Sequence, residues 1–213
     1  NYLVHASILS SMNASDFGVS GGWKGLRVRR EFVNKFTTGD SRAMFHTDGQ
    51  TLDIDQVSNE AQGYGFTKWT NKKSNGQNGS NPTGNFVDTD FPMFRLADAY
   101  LMYAELAVRG HGTMSQAVNY VNALRTRANV STISQGDLTL DFILDERSRE
   151  LSWECHRRQD LIRFGKFTGG SYLWQWKGNL RNGTSTADHL KLFPIPDRAR
   201  SANPTLQQNI GYN

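Results

Sequence analysis

With 213 residues and 37% hydrophobic content, the chain is long enough to bury one sizeable core. Its 24 basic residues are interspersed with 20 acidic ones, for a formal charge of +4, which is not the clustered basic face that nucleic-acid binding asks for. No apolar run approaches the length of a membrane span, and a single cysteine, Cys155, rules out an intrachain disulfide.

In chain order, the alternation from Tyr2 to Leu9 predicts a strand or extended segment, followed by a Ser/Asn/Gly loop. Gly21, Gly22 and Trp23 form a turn, and Glu31, Phe32, Val33 and Phe36 predict a brief amphipathic helix. Thr51 to Asp55 alternates as a strand does. From Glu60 to Asp90 the composition shifts to glycine and asparagine around Tyr64, Phe66 and Trp69, which predicts a long irregular excursion.

Helical periodicity then takes over. Phe94 to Gly110 predicts a helix with Ala97, Leu101, Ala104, Leu106 and Ala107 on one face, and Gly110 to Gly112 breaks it. Ser115 to Val130 predicts a second, with Ser115 as N-cap and Ala117, Tyr120, Val121, Leu124 and Ala128 on its apolar face. The pair has the length of a tetratricopeptide hairpin, and one such unit cannot bury both its faces. Leu140 to Arg163 predicts one long helix, with Thr139 as N-cap, an apolar stripe of Ile143, Leu144 and Leu151, and Gly165 as its end. Cys155 reads as a small buried thiol within it. Glu105, Arg125, Arg147 and Glu150 are expected to form a mostly buried charged cluster.

Past that helix, Thr168 to Leu190 is again loop-like, with Tyr172, Trp174 and Trp176 on one side of an extended segment and Leu173 and Gln175 on the other. It reads either as a platform for a ligand or partner or as a lid over the helices. Leu192 to Pro196 is too proline-broken for a helix, and Asp197 to Arg200 reads as a turn.

Two readings of the chemistry compete. Glu146, Glu150 and Glu154 stack at helical spacing beside Arg147 and Arg157; they form either a catalytic carboxylate pair or a structural ion network, and the neighbouring arginines favour the network. His156 has no second ligand at metal spacing, so neither a metal nor another cofactor is called for. Sugars are bound by flat aromatic faces with amide and charged side chains meeting the hydroxyls. Trp23, Tyr64 and Trp69 with Asn71 and Lys72 fit that description, although the same aromatics can serve to pin the loop to the core.

The runs TDFPMFRLADAYLMYAELAVRG, YVNALRTRANV, LTLDFILDERSRELSWECHRRQDLIRFGKF, LFPIP and NPTLQQNIGYN follow each other in the order and spacing of the C-terminal half of the SusD/RagB family. The earlier block GGWKGLRVRREFVNKF, followed by DSRAMF, resembles the middle of those proteins, whereas Asn209-Ile210-Gly211-Tyr212 departs from their common Asn-Pro-Gly-Tyr. The resemblance implies a non-catalytic, glycan-binding outer-membrane lipoprotein of Bacteroidetes. Such a protein faces the cell exterior, delivers oligosaccharides or polysaccharides to a SusC-like TonB-dependent transporter, and carries its lipid anchor outside this chain. It also implies that residues 1–213 are a C-terminal region lacking an N-terminal helical-repeat half. The expected fold is mainly α: a tetratricopeptide-like hairpin plus a long helix, with long irregular loops and a few short strands. The competing functions are a glycoside-degrading enzyme and a helical scaffold that binds only protein.

Overall fold

The computed structural model describes residues 2–212, which fall into two compact units divided between Arg157 and Arg158. The first unit opens with a helical turn, α1 (Tyr2–His5), where alternation predicts a strand. The difference has a packing cause: residues 4 to 9 are all buried, so this segment has no water-facing side for a two-sided strand to use. Val4 and Ile8 join Val19 and Val87 in an apolar cluster, with Phe17 and Trp69 packed against it. A 3-10 turn, Ala14–Phe17, ends at Gly18 with φ 73°, and a Cβ there would lie 2.3 Å from the Asn71 carbonyl oxygen, so only glycine fits.

The brief helix α2 (Arg30–Val33) forms as expected. Its Phe32 meets Phe36, Phe45 and Phe66 edge-on at ring-centroid distances of 5.0, 5.8 and 5.4 Å. This aromatic nest is centred on a two-stranded antiparallel ladder, β1 (Phe45–His46) and β2 (Gly65–Phe66), with Phe45 opposite Phe66. The strand expected over Thr51 to Asp55 reduces to one isolated bridge, Thr51 with Gln62.

The helical hairpin is α3 (Leu96–Val108) and α4 (Met114–Arg127). Ala97, Leu101, Ala104 and Ala107 bury one face of α3, and Ala117, Val121 and Leu124 the facing side of α4. Tyr100 stacks on Tyr120 at 4.2 Å. Leu106 is exposed rather than part of the small-residue face, and the cap position of α4 is Thr113, not Ser115.

The long helix expected over Leu140 to Arg163 is two helices, α5 (Leu140–Glu150) and α6 (Arg157–Arg163). Thr139 caps α5, accepting from the Phe142 N–H at 3.2 Å, and Ile143, Leu144 and Leu151 are buried as the stripe requires. The chain breaks because Trp153 and Cys155 adopt left-handed φ values of 58° and 65°. The carbonyls released at the end of α5 are taken by other elements: Lys68 Nζ donates to Glu150 O (3.1 Å) and Ser152 O (2.9 Å), and Arg95 Nη2 to Glu150 O (3.0 Å). In this turn Cys155 is exposed, not buried.

In the second unit Gly165, with φ 68°, follows α6 as the sequence predicts. Trp176 is left-handed and Gln175 and Lys177 are buried, so the aromatic segment coils instead of running extended. Arg158 lies over both Phe167 (4.9 Å) and Phe193 (4.2 Å). The expected turn after Pro196 is a helix, α7 (Asp197–Ala202). The tail returns to the proline segment: Asn209 Nδ2 donates to Phe193 O and the Tyr212 hydroxyl to Leu192 O, both at 2.8 Å.

Candidate functional site

Trp23 stands on a backbone that hugs α1. Its N–H donates to His5 O at 2.7 Å and that of Lys24 to Ile8 O at 3.1 Å, and a Cβ on Gly22 would sit 2.4 Å from Ile8. The indole is 48% exposed yet fixed: it stacks on His5 (5.2 Å, 18°) beside Tyr2 (6.1 Å), and Gly21 O is 3.1 Å from His5 Nδ1. An aromatic face at the surface, with its orientation set from behind, can take the C–H face of a sugar.

Trp69 stacks on Phe91 at 5.7 Å and 20° and lines a cleft of about 310 Å³ with Lys68, Pro92, Arg95, Arg127 and Glu154. Its buried Nε1 has no hydrogen-bond partner among the described residues. Tyr64 is half-buried, pairs its backbone with Val28 and tilts against Phe45 at 6.4 Å, which places it at the margin of the aromatic nest.

Asn71 is buried. Its Nδ2 donates to Gly18 O (2.8 Å) and Ser80 O (3.1 Å), so the amide nitrogen expected to meet a hydroxyl holds the loop instead. Lys72 reaches Asn78 Oδ1 at 2.7 Å. Asn71 and Lys72 line a polar hollow of about 470 Å³ with Ser80, Asp88 and Asp90. Trp23 and Tyr64 line neither this hollow nor the Trp69 cleft, so neither of these two cavities gathers all five residues. The supports His5, Tyr2 and Phe91 were not legible in the sequence, since nothing local marks which ring will back another.

Behind the Trp69 cleft lies a buried ion network. Arg42 donates to Asp40 Oδ1 and Oδ2 (2.9 and 2.8 Å), Glu146 Oε1 (2.7 Å) and Glu150 Oε2 (3.2 Å). Arg95 clasps Glu154 through Nε and Nη2 (2.7 and 2.9 Å) and reaches Glu150 at 3.0 Å. Arg125 and Arg149 meet Glu146 Oε2 at 3.1 and 3.0 Å, Arg127 meets Glu150 Oε1 at 2.6 Å, and Lys68 pairs with Glu154. Arg125 and Glu150 belong to the expected cluster; Arg147 pairs with Asp98 at 2.7 Å and Glu105 with Arg109 at 3.0 Å. Arg42, Lys68 and Arg95, which complete the network, are separated from their Glu146, Glu150 and Glu154 partners by 55 residues or more and share no sequence pattern with them.

Burial alone pushes the Glu146 carboxyl up, but Arg149 and Arg42 outweigh it and hold the group below its ordinary value. Glu150 is likewise raised by burial and pulled lower overall by Arg127 and Arg95. Burial lowers the Lys68 ammonium, against the pull of Glu154. Neither Glu146 nor Glu150 is therefore the raised-pKa acid that glycoside hydrolysis needs. Among the described residues no group of three or more His, Cys, Asp or Glu side chains is placed to hold a metal ion.

The model of the SusD family matches residues 46–212. The chain is 40% identical over 193 residues to the starch-binding protein SusD of Bacteroides thetaiotaomicron, an alignment covering 87% of this chain and 33% of that protein. Among solved structures, surface glycan-binding protein A from the same organism superposes with a TM-score of 0.65 at 24% identity, covering 97% of this chain and 46% of that one. A SusD superfamily protein from Bacteroides vulgatus gives 0.63 at 22%, covering 93% and 42%. These two structural likenesses speak to the fold. The chain spans about a third of the length of the starch-binding relative.

Proposed function

This chain belongs to the SusD family, and from that premise we propose that it is the C-terminal region of a non-catalytic, cell-surface glycan-binding protein. The protein raises the local concentration of an oligosaccharide, holds it on aromatic faces, and hands it to a SusC-like TonB-dependent transporter. It faces outward at the outer membrane, with its lipid anchor outside residues 1–213. The observation that carries this reading is the 40% identity, over 87% of the chain, to a protein named for binding starch.

Local geometry supports it. Trp23 presents a half-exposed indole locked by His5, and Trp69, partly buried and stacked on Phe91, lines a cleft bordered by charged side chains. The competing enzymatic reading needs a protonated carboxyl opposite an ionised one, and Glu146 and Glu150 are both pulled toward the ionised form.

Affinity electrophoresis of the full-length protein through gels containing a panel of polysaccharides tests the proposal. Retardation by at least one glycan, with no product released, is the expected result. Cleavage of the glycan overturns it, and so does binding to protein partners alone with no retardation by any saccharide.

A further inference from the structure

The cleft beside Trp69 is unbalanced in charge. Five cations line it, Arg42, Lys68, Arg95, Arg127 and Arg149, against two carboxylates, Glu150 and Glu154. The network behind it adds Arg125 on one side and Asp40 and Glu146 on the other, so six positive groups face four negative ones and two positive charges are left over. Every oxygen of those four carboxylates already accepts from at least one arginine or lysine. The donors that remain belong to Arg127. Its side chain is 54% exposed, whereas the other five cations are 25% exposed or less. Its Nη2 engages both oxygens of Glu150, at 2.6 and 2.5 Å, while Nε and Nη1 meet no acceptor among the described residues.

We infer that the Trp69 cleft selects an acidic saccharide, a sugar unit whose carboxylate or sulfate group meets Arg127 while an apolar face of its ring lies against the wall of Met44, Pro92 and Trp69. A concave surface with surplus positive charge draws anions from solution. An ionised acceptor also makes the shorter and stronger bond to a guanidinium, roughly twice that of a neutral one. A neutral sugar offers less. Its hydroxyl brings no charge to offset the surplus, and its hydrogen asks for an acceptor where the carboxylate oxygens are already engaged. Glu146 and Glu150 are held toward the ionised form, so they count fully in the balance. Trp23 lies outside the cleft, so neutral rings stacked there are not subject to this selection. The inference rests on the glycan-binding reading and narrows it to a class of ligand.

The test is affinity electrophoresis of the full-length protein through gels cast with amylopectin, dextran, dextran sulfate, polygalacturonate or, as a polyanion without sugar, polyaspartate. An acidic polysaccharide should be bound about tenfold or more tightly than either neutral one, with retention that weakens as sodium chloride is raised and none by polyaspartate. Dextran sulfate against polygalacturonate decides between sulfate and carboxylate. Arg127→Gln should lower the acidic affinity about tenfold, the effect of one charge-assisted hydrogen bond, and leave melting nearly unchanged because Glu150 keeps Arg42 and Arg95. Arg127→Lys should restore part of it. Retention by neutral glucans alone, unaltered in Arg127→Gln, overturns the inference and leaves the glycan-binding reading standing. Equal retention by polyaspartate overturns it as attraction by charge alone, and retention by no saccharide overturns both readings. The comparison of dextran with dextran sulfate uses the unaltered protein, so it decides the matter where Arg127→Gln fails to fold.

Discussion

Arg42 and Glu146, 104 residues apart in the chain, share a 2.7 Å hydrogen bond in which neither side chain is more than 10% exposed. The same guanidinium holds Asp40 and Glu150, so one side chain ties a loop of the N-terminal region to two positions of α5. A buried charge that loses its partner is far more costly than the pair is stabilising.

Arg42→Ala should therefore destabilise the protein by about 3–5 kcal/mol, read as a drop in the urea midpoint. Arg42→Lys should recover only part of this, because an ammonium cannot span Asp40 and Glu146 with a planar fork. Arg147→Ala, which strands Asp98, should act in the same direction. A loss below about 1 kcal/mol for Arg42→Ala would mean that its partners find water or other cations.

The network also sets the response to acid. Glu146 and Glu150 both have folded pKa values below their ordinary 4.5. A depressed carboxylate contributes stability that is fully present above the unfolded value and lost as pH falls through the folded one. Unfolding free energy should accordingly vary little on this account from neutral pH down to about 5, then fall below about 4.5. Denaturant midpoints measured against pH check this, and a profile flat through that window sinks it.

The turn between α5 and α6 places Cys155 at φ 65°, where a side chain with a Cβ is disfavoured by roughly 1–2 kcal/mol per residue. Since the thiol is exposed, little packing is lost by removing it. Cys155→Gly should raise stability by about 0.5–1 kcal/mol after the added unfolded-state entropy of glycine is subtracted. Cys155→Val should lower it. If the two variants melt alike, the left-handed geometry stores no strain.

For ligand capture, Trp23→Ala and Trp69→Ala in the full-length protein should each weaken glycan retention severalfold, since stacking on one indole contributes on the order of 1 kcal/mol. Trp23 is half exposed, so its removal should leave melting nearly unchanged; Trp69 packs on the Val4 and Ile8 cluster, so its loss should lower melting as well. Unaltered retention in both variants would place the binding surface elsewhere in the protein.

In the second unit, Lys177 donates to Gly169 O and Tyr172 O at 2.8 Å each and covers Trp174 at 4.6 Å. Lys177→Ala should cost about 1–2 kcal/mol by removing two part-buried hydrogen bonds. A local loss of protection around Trp174 in hydrogen exchange would accompany it, whereas unchanged exchange would show that the segment is held by other contacts.

What the sequence determined by itself was everything that depends on neighbours within a few turns. Thr139 as a cap, the buried stripe of Ile143, Leu144 and Leu151, and the inner face of α3 against α4 were all legible, because a 3.6-residue period reports which side of a helix is apolar. The order of the family-like blocks was legible for the same reason: it is a property of the string. Tertiary structure alone decided where α5 stops. Trp153 and Cys155 give no local signal for a left-handed turn, and the break is stabilised by Lys68 and Arg95 arriving from distant segments to take the freed carbonyls. It also decided which rings are platforms and which are supports. Trp23 is held at the surface by His5, Trp69 is backed by Phe91, and Asn71 is spent on Gly18 and Ser80, because an aromatic or amide side chain acquires its role from the groups that reach it first, and those are chosen by the path of the whole chain.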